Sequence, residues 1–185
     1  TAALRNVISG NGGRGMTLNG GNNLVQGNYI GVAADGTTPM GNGSIGIMII
    51  GSGVTNNNHT IGGTSAAAKN IIAYNLSDGV SIFRDTNPTT GHRILGNPIF
   101  SNAARGIDLD DNGITANDTG DGDDGTNHRQ NFPVLALALT NGVTTDITGQ
   151  LNSEANTSYR IEFFSNDSCD PQGNGEGETF LGFVN

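Results

Sequence analysis

Four times along the chain an asparagine is followed four residues later by a glycine, and each glycine opens an apolar–x–apolar triplet. The pairs are Asn11 and Gly15, Asn42 and Gly46, Asn75 and Gly79, and Asn102 and Gly106. The triplets are Met16/Leu18, Ile47/Ile49, Val80/Ile82 and Ile107/Leu109. Upstream of each pair a further asparagine opens a short phrase: Asn6-Val7-Ile8, Asn28-Tyr29-Ile30, Asn70-Ile71-Ile72 and Asn97-Pro98-Ile99. A third short segment closes the complete units at Val25-Gln26-Gly27, Ile61-Gly62-Gly63 and Ile94-Leu95-Gly96. A unit this small cannot bury its own apolar side chains, so it must stack on its neighbours.

Successive opening asparagines lie 22, 42 and 27 residues apart. The longest spacing holds two insertions, 31–40 and 64–69, both at turns, which is how solenoids absorb extra length. Three strands per unit, each pairing with its counterpart one unit later, send the chain once around before it returns, so the pairing is parallel. The pattern predicts an all-β chain, a right-handed parallel β-helix of about four coils. Glycine is expected to supply positive φ at the corners. Asparagine is expected to tolerate the left-handed region there and to hydrogen-bond to the asparagines above and below. A flexible linker would also be rich in Asn and Gly, but it would not keep these offsets.

Composition agrees with a narrow core and many turns: 34% of residues are hydrophobic and 30 of 185 are glycine. The net charge is −9, from 8 basic and 17 acidic residues, so there is no basic stripe to displace phosphate counterions. Nucleic acid is excluded as a partner on that ground, and an anionic membrane surface is disfavoured. No apolar run approaches the roughly 18 residues of a membrane span, so membrane insertion is not expected. Cys169 is the only cysteine, so no intrachain disulfide forms, and its turn holds no adjacent base.

With Asn6-Val7-Ile8-Ser9-Gly10-Asn11 and Gly27-Asn28-Tyr29-Ile30-Gly31, the chain resembles the right-handed parallel β-helix repeats of pectate-lyase-like proteins. More closely, it is similar to the repeat modules of large bacterial secreted and cell-surface proteins. The resemblance covers roughly residues 1 to 135, and its motifs specify architecture, not activity. It implies an extracellular or bacterial cell-surface location. It also implies where an enzyme of this kind would work: on outward strand positions of one parallel sheet. There lyase relatives place calcium-binding carboxylates with an Arg or Lys base, and hydrolase relatives place clustered Asp residues.

Residues 1–131 are expected to form the β-helix, with an acidic loop at 108–125. From residue 132 the pattern changes to alternating runs near 134–139, 143–151, 159–164 and 179–184. Residues 132–185 therefore read as an incomplete antiparallel, immunoglobulin-like segment, since that fold needs about seven strands. A smaller element packed on the end of the helix is the other reading. The opening Thr1-Ala2-Ala3-Leu4-Arg5-Asn6 matches Ser65-Ala66-Ala67-Ala68-Lys69-Asn70, which suggests an earlier coil before Thr1. Both ends read as open, with no capping repeat, so coils are expected to be able to stack end to end between chains.

Asp108-Leu109-Asp110-Asp111-Asn112-Gly113 fits the first half of a calcium loop, although Thr119 stands where a bidentate Glu belongs. Asp118, Asp121 and Asp123 offer further ligands. Calcium on Asp108, Asp110, Asn112, Asp118, Asp121 and Asp123 is one reading, and a solvated acidic turn is the other. The outward row of the best-defined strands is Thr17, Met48, Ser81 and Asp108, where only Asp108 ionises. A paired-carboxylate mechanism is not available from that row. The nearest alternative is an acid–base cluster of Asp108, Arg105 and Arg84, with Asp85 beside it; a surface ion pair accounts for the same residues. His59, His92 and His128 show no metal spacing, and the first two read as ordinary corner residues.

These features favour a non-enzymatic structural or adhesive module, contacting extracellular polysaccharide or associating with itself. The alternative is a polysaccharide lyase or glycoside hydrolase, supported by fold analogy alone.

Overall fold

The structure is a computed structural model that describes residues 4–51, 58–84, 89–171 and 173–185. Thr1, Ala2, Ala3 and Asp85 lie outside the described residues. The first coil carries β1 (Val7–Ile8), β2 (Met16–Leu18) and β3 (Leu24–Val25). The second carries β4 (Tyr29–Ile30), β5 (Ile47–Ile50) and β6 (Thr60–Gly62). The third carries β7 (Ile71–Ala73), β8 (Val80–Phe83) and β9 (Arg93–Leu95), and the fourth β10 (Ile99–Phe100) and β11 (Ile107–Asp110). Like strands pair in parallel to give three sheets, β1-β4-β7-β10, β2-β5-β8-β11 and β3-β6-β9. The chain is a parallel β-helix of about four coils.

Register follows the repeat. Met16, Ile47, Val80 and Ile107 stand in one line, as do Leu18, Ile49, Ile82 and Leu109. Ile30, Ile72 and Ile99 line the first sheet, and Val25 and Ile61 the third; with Ile47, Ile49, Val80 and Ile82 they form one contiguous buried core. Strand alternation sends these side chains inward, where each coil covers the last. The 31–40 insertion folds on itself through an antiparallel bridge between Val32 and Pro39, without disturbing the pairing of β4 with β1 and β7.

Three polar ladders run along the corners. In the first, Asn6, Asn28 and Asn70 each donate backbone N–H and side-chain Nδ2 to the Oδ1 of the asparagine one coil on. In the second, Asn11 donates to Asn42, Asn42 to Asn75 and Asn75 to Asn102, with Nδ2–Oδ1 distances of 2.8 Å. In the third, the backbone N–H of Asn23 donates to His59 Nδ1 (3.1 Å), that of His59 to His92 Nδ1 (3.4 Å), and that of His92 to Asn127 Oδ1 (2.9 Å). All three point the same way, with donors facing the later coil.

The corner geometry corrects two expectations. Neither the second-ladder asparagines nor Gly15, Gly46, Gly79 and Gly106 have positive φ. These glycines are needed for closeness instead. A Cβ on Gly46 would stand 2.6 Å from the Gly79 carbonyl oxygen and 2.8 Å from Asn75 Nδ2. Glycine does supply positive φ at other corners, among them Gly10, Gly27, Gly31, Gly62 and Gly96.

Because the ladders end on donors, the last coil needs acceptors, and the C-terminal segment brings them. Glu176 takes the next position of the second ladder, accepting Asn102 N–H (3.1 Å) and Nδ2 (2.8 Å). Glu162 Oε2 accepts Gly96 N–H at 2.7 Å. Gly177 exchanges both backbone hydrogen bonds with Ile99 on the edge of the first sheet, at 2.8 and 2.7 Å. The expectation that this end is open is therefore overturned at the second ladder and the edge of the first sheet, while Ile107, at the end of the second sheet, remains exposed. A carboxylate ends the ladder where an asparagine continues it, because the terminus requires acceptors only.

Beyond the helix, β12 (Val134–Thr140) pairs antiparallel with β13 (Thr145–Gln150), and β14 (Ile161–Ser165) with β15 (Thr179–Val184). These two pairs are the partial immunoglobulin-like segment. Lys69 Nζ lies 3.9 Å from the centroid of Phe180 on β15. Among the described residues no helix is long and apolar enough to cross a membrane.

Candidate functional site

The outward row of the second sheet has the expected register, Thr17–Met48–Ser81–Asp108, but only its first member is exposed. Met48, Ser81 and Asp108 are buried. The chain leaving β11 folds back over this face. Asp111 Oδ1 accepts the Ser81 hydroxyl at 2.7 Å, and Thr126 closes a reciprocal pair with Asp110, N–H to Oδ1 and N–H to Oγ1, both at 2.9 Å.

Beneath that cover Asp78, Asp108 and Asp111 gather, with carboxylate oxygens within 4.8 Å of one another. Arg105 stands against two of them, Nη1 lying 3.5 Å from Asp78 and 3.3 Å from Asp108. Backbone donors complete the group: Arg105 N–H to Asp78 at 3.0 Å and Gly113 N–H to Asp108 at 3.1 Å. Burial pushes the Asp108 carboxyl above the ordinary carboxylate range, and the Asp78 charge adds to it, against the Gly113 N–H and Arg105. Asp78 and Asp111 were not singled out from the sequence. A signal was present: Asp78 and Arg105 both immediately precede a repeat glycine, so they occupy the same position in adjacent coils.

Arg84 is not part of this group. It lies 3.6 Å from Asp110 and 3.8 Å from Asp124, so Asp108, Arg105 and Arg84 do not form one acid–base cluster. Asp110 also turns away from the proposed calcium loop. Asp110 and Asp111 both have left-handed φ, 73° and 54°. That kink directs the Asp110 carboxylate to Arg129 Nε at 2.7 Å and to Thr126. Burial opposes its ionisation, yet these donors outweigh burial and hold its titration below the ordinary range. The side chain of Asn112 is exposed, and its backbone N–H serves Asp108.

Asp118, Asp121 and Asp123 do come together, again with oxygens within 4.8 Å. Asp121 is buried and fully engaged, accepting Asn131 N–H and Gln130 Nε2 (each 2.8 Å) and the Ser153 hydroxyl. Asp118 Oδ2 accepts Gly122 N–H at 3.0 Å. Asp118 Oδ1 and Asp123 Oδ1 are buried and accept no hydrogen bond. Arg129 lies 3.7 Å from the other oxygen of Asp123. Three convergent carboxylates, two with an unused buried oxygen, fit a hard divalent cation in kind, and calcium's remaining coordination would fall to backbone carbonyls and water. No family model, curated protein or solved structure matches this chain.

Chemically, the first cluster is poorly placed for glycosidic bond cleavage. Its carboxylate oxygens lie within 4.8 Å of one another, too close for an inverting pair at roughly 6.5–9.5 Å though near the roughly 5–5.5 Å of a retaining one, so burial is what decides. Asp78 and Asp108 are 4% and 3% exposed, which denies a polymer access to them. The cleft between the two antiparallel pairs has apolar walls, including Leu135, Ile147, Phe163 and Leu181, with Glu162 the one ionisable residue lining it among the described residues.

Proposed function

We propose that the chain is a non-enzymatic structural or adhesive β-helix module, of the kind that bacterial secreted and cell-surface proteins repeat. One observation carries this reading. The sheet face on which pectate-lyase-like enzymes work is here covered from Met48 onward, and its two carboxylates, Asp108 and Asp110, are buried against Arg105 and Arg129. A regular rod with its second polar ladder capped suits a stalk or a surface for extracellular polysaccharide. Association end to end through the last coil would have to displace Glu176 and Gly177. Incubation with acidic polysaccharides and calcium is expected to release neither new reducing ends nor unsaturated products. Turnover that disappears in Asp108→Ala would instead establish the lyase or hydrolase reading, which the closeness of Arg105 to Asp108 favours.

The loop at 118–123 serves this role as a calcium clasp, a reading favoured by the unused Asp118 and Asp123 oxygens. With a dissociation constant of about 10⁻⁴ M, as in extracellular modules, about 10 mM calcium stabilises by roughly 2–3 kcal/mol. Thermal unfolding with calcium against chelator should therefore shift upward by several degrees, and the double variant Asp118→Asn/Asp123→Asn should lose that shift. An identical midpoint with and without calcium excludes the clasp.

A further inference from the structure

The third corner differs from the other two in using imidazoles. His59 and His92 are 0% and 6% exposed, and their rings stack with centroids 5.2 Å apart at 11°. Each Nδ1 accepts a backbone N–H, from Asn23 and His59 respectively, and Asn23 Nδ2 also lies 3.2 Å from His59 Nδ1. The ladder thus requires both rings neutral, with the proton on Nε2. His92 Nε2 then donates to Thr89 Oγ1 at 3.0 Å, whereas His59 Nε2 is buried without a partner.

We infer that the His59–His92 stack is an acid-sensitive seam, closed while both rings are neutral and opened when protonation removes the Nδ1 acceptors. A proton on Nδ1 turns an acceptor into a second donor facing a backbone N–H, so each event breaks one step of the ladder. It also places like charges in two stacked, buried rings. Among the described residues, the groups around the pair offer no compensation: Asn23, Thr89 and Asn127 are neutral, and Arg93, next in sequence on β9, is cationic. Among the described residues, the only other titratable group bearing on His92 is His59.

Burial lowers both imidazoles, taking His92 from 6.5 to about 4, with the His59 charge as a secondary cause. A base whose folded pKa is depressed contributes stability present above its unfolded value and lost as the pH falls toward the folded one. Between pH 7 and pH 5, linkage through His92 alone raises the opening constant of the corner about twentyfold. The first segments to loosen are those hung on this ladder, around Asn23, His59–Thr60 and His92–Arg93.

Hydrogen exchange on the whole chain tests this, with rates corrected for the intrinsic pH dependence of exchange. The backbone amides of Asn23, His59 and His92 should lose at least tenfold in protection between pH 7 and pH 5, while those of Asn42 and Asn75 hold. The double variant His59→Asn/His92→Asn keeps an acceptor at each step, as in the other ladders, and should keep its protection at pH 5. Equal loss in variant and wild type overturns the inference. Nitrogen-15 shifts of the wild-type imidazoles give an independent reading that needs no variant. Both rings should show the Nε2–H tautomer and remain neutral at pH 6, and ordinary titration near 6.5 overturns the inference as well.

Discussion

Asn75→Ala should lower the stability of the whole helix by about 3 kcal/mol, which for a chain of this size is a fall in thermal midpoint of roughly 10 °C. Asn75 is 1% exposed and lies in the middle of its ladder. Its Oδ1 is the acceptor for both Asn42 N–H and Asn42 Nδ2, and its own Nδ2 donates to Asn102 Oδ1. Alanine leaves two buried donors of Asn42 with one fewer acceptor and leaves Asn102 Oδ1 with a backbone N–H alone. Unmet buried groups cost about 1–3 kcal/mol each, more than the bonds they replace contributed. The same substitution at Asn11, which is exposed and only donates, should cost less than about 1 kcal/mol, because it strands no buried donor and Asn42 Oδ1 keeps the Asn11 backbone N–H. Calorimetry of both variants makes the comparison, and equal losses would show that the ladder is not what stabilises the stack.

That contrast bears on what the sequence makes legible. The registers were readable because Met16, Ile47, Val80 and Ile107 recur at a fixed distance after a glycine, and a strand's two-residue period leaves one face inward. The reason for the glycines was not readable. Locally, Gly46 looks like any turn glycine, and the atoms that exclude its Cβ belong to Gly79 and Asn75 on the next coil. The cap escaped for a similar reason. Glu176 lies 74 residues from Asn102, beyond any repeat, and its role appears only once the ladder is seen to end on donors. The acidic loop misled through its motif: the spacing of Asp108, Asp110 and Asn112 suggests a calcium loop, but two successive left-handed residues turn Asp110 into an ion pair with Arg129. Asp118, Asp121 and Asp123 converge because Asn131, Gln130 and Ser153 hold Asp121 from outside the acidic run.

Arg105→Ala should be the most damaging charge substitution, at roughly 3 kcal/mol near neutral pH. The guanidinium is the only cation within salt-bridge reach of Asp78 and Asp108 among the described residues, and both carboxylates are almost fully buried. Without it, like charges face each other where water cannot screen them, and Asp111 adds a third. The pH dependence distinguishes this cause from simple loss of packing. Asp108 already titrates above its ordinary value, so the stability it contributes is present below the unfolded pKa and is lost as pH rises through the folded one. Removing Arg105 takes away a cation that opposed that shift and raises the folded pKa further. The deficit of the variant should therefore be largest near neutrality and narrow steadily as the solution is made mildly acidic, the reverse of the behaviour expected at the histidine corner. Denaturant titrations of wild type and variant at a series of pH values read this directly. A deficit that stays constant across the series would mean that Arg105 acts through its packed side chain, and that the three carboxylates under the loop do not depend on its charge.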